Sequence, residues 1–221
     1  METPNSAKRG RGRPRKIHEG AFETKERLIR HGTALLTERG FASTGLEQFL
    51  KDVGIPKGSF YHYFPSKDAF GLAVLQNYGI YFARKLDKWL LNENRAPLDR
   101  LQDFIDDAKG GLARFSFRRG CLVGNLGQEL GSLSDEFRDP LEDIFQDWQA
   151  RVKACLDIAM ENGELDNTQS TNDMAACFWI GWEGAILRAK LVQSTEPVDL
   201  FARSFFMGIK APSLTTKLNR E

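Results

Sequence analysis

The chain has very little of what catalysis needs. Its 221 residues include only three histidines, His18, His31 and His62, and three cysteines, Cys121, Cys155 and Cys177. A thiol nucleophile needs a base beside it, and none of those histidines lies near a cysteine in sequence. The cysteines are widely spaced with no CxxC, which excludes a disulfide framework and fits a reducing, cytoplasmic setting. A phosphate-binding glycine loop, a dinucleotide fingerprint and Cys/His metal spacing are all missing, so no cofactor and no metal is expected. Long apolar runs are missing too. The longest, "MAACFWIGW", ends at Glu183, short of the roughly 18–20 residues of a membrane span. No apolar segment follows the basic N-terminal stretch, so a secretory signal is not expected either. An enzyme and a membrane protein are both disfavoured.

What is there is unevenly distributed charge and helical periodicity. Net charge is +1, but residues 8–16, "KRGRGRPRK", hold six basic side chains and no acid. Removing those six leaves the remainder at −5, so a cationic arm is joined to a mildly acidic body, and such arms touch polyanions. No strand pattern emerges; the chain reads as all-α. A helix over 24–39 ends at Gly40. Thr44 and Glu47 form a capping box for a short helix that Gly54 stops. Pro56 suits the first turn of another short helix to Tyr63, and Ser66 caps a long one to about residue 90. Pro97 opens a further helix, and Asp139-Pro140 reads as N-cap and first position of the next, ending at Gly163. A helix over about 172–192 is apolar nearly all round, which implies burial on several sides, and Pro197 opens the last one, to about residue 210.

The two short helices joined by "DVGIP" have helix-turn-helix proportions. In "KGSFYHYF", Phe60 and Phe64 can bury, leaving Lys57, Gly58, Ser59, Tyr61, His62 and Tyr63 outward, with Lys67 following. Hydroxyls, an imidazole and an ammonium suit phosphates and major-groove edges; the alternative is simply a solvated polar face. The stretch "STGLEQFLKDVGIPKGSFYHYFPSKDAF" resembles the N-terminal signature of the TetR/AcrR family of one-component transcriptional repressors, over residues 24–75. The resemblance implies an all-α homodimer that binds double-stranded DNA at a pseudo-palindromic operator. It further implies a three-helix helix-turn-helix domain and a C-terminal helical ligand-binding and dimerisation domain. Dimerisation would use the last two helices, about 172–192 and 197–210. Carried onto this sequence, the DNA contacts would be Thr44, Lys57, Gly58, Ser59, Tyr61, His62, Tyr63 and Lys67. The expected division is an arm without regular structure over 1–20, a reading domain over 21–65, a ligand and dimer domain over 66–212, and a tail over 213–221. In the arm, Arg11, Arg13 and Arg15, spaced by Gly12 and Pro14, resemble an AT-hook core able to enter a narrow minor groove. A non-specific cationic tail is the other reading of the same residues.

The second half poses its own question in "RRGCLVGNLGQEL", residues 118–130. Arg118, Arg119 and a helix starting near Gly120 would lower the Cys121 pKa and make it a reactive thiolate; a small residue packed among glycines is the plain alternative. Cys155, on an apolar stripe, reads as inert core, and Cys177 similarly. The aromatics Phe104, Phe115, Trp148, Phe178, Trp179 and Trp182 read mainly as core, though a helical domain lined with them can also hold a small apolar ligand. Asn125, Glu129 and Glu183 are candidate polar partners for it. This stretch, with "FWIGWEGAILRAK", resembles the acrylate-responsive subgroup of the same family and, more distantly, its N-ethylmaleimide-responsive repressors. That resemblance implies a small-molecule inducer, an α,β-unsaturated acid or its thioester, met covalently at Cys121 or held reversibly with Arg118 or Arg119 on its carboxylate. Two rivals remain: a thiol enzyme, for which no base is visible, and an architectural DNA-bending protein, which would not need some 130 further residues.

Overall fold

The computed structural model describes residues 15–165 and 168–210, with side chains described from residue 22 onward. Among them are nine helices and no strand beyond a single bridge between Leu165 and Lys210. They are α1 (Arg15–Arg39), α2 (Leu46–Val53), α3 (Lys57–Tyr63), α4 (Lys67–Leu90), α5 (Pro97–Arg114), α6 (Leu122–Leu130), α7 (Asp135–Glu161), α8 (Thr171–Val192) and α9 (Glu196–Ile209). No helix among the described residues is long and apolar enough to cross a membrane.

Three helix starts differ from expectation. α1 begins at Arg15, so residues 15–20, expected within the arm, are helical; Arg11 and Arg13 lie outside the described residues. Thr44 does not cap α2. It is buried, its hydroxyl donates to the Gly40 carbonyl at 2.6 Å, and Gly45 occupies the N-cap position instead. Gly40 reverses the chain at φ +83°, which folds Thr44 back onto the end of α1. Pro140 is not a first-turn residue; α7 starts at Asp135 with Pro140 inside it. The earlier start puts Phe137 one turn before Leu141 on the apolar stripe, where its ring packs 5.3 Å from that of Phe41. That burial offsets the one hydrogen bond proline removes.

One core runs through both halves. Leu28 and Leu36 of α1 pack with Phe49 of α2, Phe60 of α3 and Phe70 of α4. Farther along, Phe82, Phe104, Trp148, Phe178, Trp179 and Trp182 pack as rings, with Phe82 and Trp148 centroids 4.3 Å apart and Trp148 and Trp179 5.1 Å apart. α4 belongs to both regions, since it packs on α1 at one end and on α5 and α7 along its length. A movement of α4 therefore reaches α3 directly.

Candidate DNA interface and ligand cavity

α3 is a short helix that its own local context could not hold together. It is fixed from behind: Phe60 is fully buried, with its ring 5.5 Å from Phe64 and 5.4 Å from Phe70. This leaves Lys57, Gly58, Tyr61 and His62 exposed and Ser59 and Tyr63 half-buried on the outer face. Nothing lies within 4 Å of a side chain added at Gly58, so there the backbone itself can approach a neighbour closely. Lys57 pairs with exposed Glu47 at 3.1 Å, a contact weak enough to exchange for a phosphate. Two expected contacts are engaged elsewhere. Lys67 Nζ donates to the Phe41 carbonyl at 2.7 Å over the Phe41 ring, and Thr44 holds Gly40, so in this structure both brace the turn between α1 and α2.

The second feature is a cavity of about 680 Å³ where the two regions meet. α1 supplies Ile29, Arg30, Thr33, Ala34 and Thr37, and α4 supplies Tyr78, Tyr81, Phe82 and Lys85. α5 adds Leu112 and the C-capping Phe115, the turn before α6 adds Arg119 and Cys121, and α8 adds Trp182 and Ile186. Mostly apolar walls with a few cationic groups suit a small organic acid or its ester. Of the residues expected from sequence, Phe115, Arg119, Cys121 and Trp182 line it. Trp148 and Trp179 do not: both are buried in the ring cluster behind the wall. Arg118 is outside, largely exposed and paired with Glu38 at 3.4 Å. Asn125 is a structural tie, donating to the Thr37 carbonyl at 2.9 Å. The α1 residues and Lys85 were missed by sequence reasoning, since their place on the wall depends on helix packing alone.

Cys121 is the N-cap of α6, its sulfur accepting from the Gly124 N–H at 3.4 Å, so the helix does begin where expected. The charge environment is the reverse of the expected one. Arg118 and Arg119 both turn to Glu38, and Glu183 of α8 faces the sulfur instead. Burial, and then the Glu183 charge, push the thiol pKa well above its usual range. Cys121 is a neutral thiol at rest, which corrects the expectation of a standing thiolate. Cys155 is buried, with its thiol pushed up to about 11 by desolvation, as core placement implies. Cys177 is exposed, against expectation, because it lies on the outer face of α8.

α6 also ties the cavity to the reading domain. Glu129 accepts from Phe41 N at 2.7 Å and from Ala42 N at 2.5 Å, fixing the turn that leads into α2. Asn125 and Glu129 thus tie α6 to the end of α1 and the turn after it.

Residues 22–74 match the family model described as "Bacterial regulatory proteins, tetR family", and residues 97–205 match "Tetracyclin repressor-like, C-terminal domain". The chain belongs to the TetR family of bacterial transcriptional regulators. Among curated relatives it is similar to the transcriptional regulator AcuR of Cereibacter sphaeroides, 48% identical over 92% of this chain and 94% of that one. Among solved structures it resembles a regulatory protein TetR from Rhodobacter sphaeroides, with 48% identity, a TM-score of 0.81 and coverage of 83% of this chain and 97% of that one. It also resembles Escherichia coli NemR in its reduced form, with 30% identity, a TM-score of 0.79 and coverage of 87% and 100%. Matched relatives in the family are named as transcriptional regulators and repressors, and this TetR-family chain is a transcriptional regulator.

Proposed function

We propose that this TetR-family regulator is a repressor released from a pseudo-palindromic operator by a small α,β-unsaturated acid, such as acrylate, or a related electrophile bound in the cavity beside Cys121. The observation that carries the reading is the cavity's composition, since one wall is α1 of the reading domain and another carries Cys121 and Arg119. Two copies pair through α8 and α9, where Ile180, Leu187, Leu191, Leu200 and Met207 form an exposed apolar face. Each copy then presents α3 to successive major grooves about 34 Å apart. Tyr61, His62, Lys57 and Ser59 make the contacts, and Thr44 and Lys67 join them once the turn they brace meets the phosphates. Arg11 and Arg13 of the arm, with Arg15 at the start of α1, add minor-groove or phosphate contacts.

Ligand entry wedges α1 from α4 and α5, changes the spacing of the two α3 helices and costs the complex its fit to DNA. A differential affinity of a few kcal/mol is enough. The neutral Cys121 thiol and the nearby Arg119 favour a second version, in which the acid is first held reversibly by the arginine and sulfur adds afterwards, or not at all. The test is duplex retention. A palindrome selected from random DNA by the protein itself should be bound tightly and released by acrylate. Unchanged affinity with acrylate at saturation would overturn the inducer assignment, and absence of any sequence preference would favour an architectural role.

A further inference from the structure

Packing alone gives no reason for the carboxyl of Glu183. It projects from α8 towards the head of α6, and its Oε1 is buried with no hydrogen-bond partner among the described residues. Its Oε2 occupies space that any side chain at position 124 would fill, so Gly124 is what lets the carboxyl approach. A buried, half-satisfied carboxyl is expensive to keep, and such groups concentrate at functional sites. The groups around it can be named. Cys121 faces it from α6 and Tyr78 from α4, both on the cavity wall, with Tyr81 one turn beyond Tyr78. The nearby cations are turned elsewhere: Arg119 to Glu38, and Lys190 to Asn125 Oδ1 at 3.5 Å. Burial holds the Glu183 carboxyl at about 7, so near neutral pH it is half-ionised and able to accept a proton.

We propose that Glu183 is the general base that takes the Cys121 proton when an α,β-unsaturated carbonyl compound enters the cavity. The proposal rests on the electrophile reading given above. The Sγ–H proton passes to the Glu183 carboxylate as sulfur bonds to the β-carbon of the ligand. The alkene electron pair moves onto the α-carbon and carbonyl as an enolate, and the α-carbon then takes the proton back from Glu183. The outcome is a thioether by simple addition, with no leaving group and no oxidant. A thiol kept neutral until a fitting ligand excludes water is protected from the oxidants that attack standing thiolates. Selectivity then comes from cavity shape as well as from reactivity.

The test follows modification of Cys121 in the full-length protein by N-ethylmaleimide, read by mass spectrometry between about pH 5.5 and 8.5, with free N-acetylcysteine in the same reaction as control. In the wild type the Cys121 rate should rise through about pH 7, where Glu183 ionises. Glu183→Gln should slow Cys121 at least about tenfold at pH 7 and move its profile to the alkaline side, leaving N-acetylcysteine unchanged. Glu183→Asp should restore part of the rate, while Tyr78→Phe should leave the profile in place. Retained duplex binding by Glu183→Gln shows that its fold is intact. An identical Cys121 rate and profile in wild type and Glu183→Gln would overturn the base assignment while leaving covalent sensing standing. Failure of Cys121 to react in the wild type, with N-acetylcysteine reacting, would overturn covalent sensing itself and the base role with it.

Discussion

Tyr61 and Tyr78 sit at the two working ends of this molecule and are treated in opposite ways. Tyr61, on α3, is 46% exposed, and among the described residues its ring packs on that of Phe60 beneath it. Tyr78, on α4, is 9% exposed, facing Cys121 and Glu183 across a cavity wall, and burial drives its hydroxyl pKa well upward. The reading face displays polar groups to water and leaves them available to another molecule. The cavity end buries polar groups among several helices, where desolvation alters their chemistry. DNA contact needs stable display; sensing needs a site whose energy changes on occupancy.

This contrast can be broken at several points. The largest effect should come from Phe60→Ala, which removes the buried ring behind α3 and should cost about 3–5 kcal/mol of stability. Thermal unfolding should show the reading domain melting early and duplex binding lost, and an unshifted transition would mean that α3 is not held from behind. Next is Glu183, whose buried carboxyl stays protonated up to about 7 while an unfolded chain loses the proton near 4.5. The raised value means the stabilisation is complete below about pH 4.5 and is lost as pH rises through 7. Glu183→Gln should abolish that fall, on the order of 2–3 kcal/mol, in denaturation curves across this window.

Tyr61→Ala should weaken duplex binding by about 1–3 kcal/mol with no change in melting temperature, because the side chain is already exposed. A stability loss of similar size would mean that Tyr61 belongs to the core and not to the reading face. The smallest effect expected is at the tie between the regions. Glu129→Gln weakens the hold on Phe41 N and Ala42 N and should reduce the ligand's effect on DNA affinity by about 0.5–2 kcal/mol, while each ligand alone still binds. Equal coupling in wild type and variant would place transmission in α4 only.

The reading end was legible in the sequence because its determinants are local. Gly54, Pro56, the Phe60 and Phe64 pair and the Ser66 cap fix α3 and the start of α4 within a dozen residues, and all of them sit near their expected places. Two expectations failed for different reasons: Thr44 is claimed by Gly40 within a four-residue turn, and Phe137 extends α7 ahead of Pro140 by packing on Phe41, some hundred residues away. The cavity end was legible as composition but not as geometry. An aromatic stripe announces a core, yet nothing local says that Trp182 faces the cavity while Trp148 and Trp179 lie behind it. At Cys121 sequence proximity misled outright. Arg118 and Arg119 are neighbours along the chain, but Glu38 of α1 captures both, and Glu183, over sixty residues away, sets the sulfur's environment.

If cavity occupancy and DNA binding oppose one another, thermodynamic linkage makes the opposition directly measurable. Acrylate binding should be measured by calorimetry on the free protein and on the protein saturated with its selected duplex. Acrylate should bind more weakly on DNA, by the same factor by which acrylate weakens the duplex. Equal acrylate affinity on and off DNA would contradict it, because a ligand that does not distinguish the two states cannot release one of them.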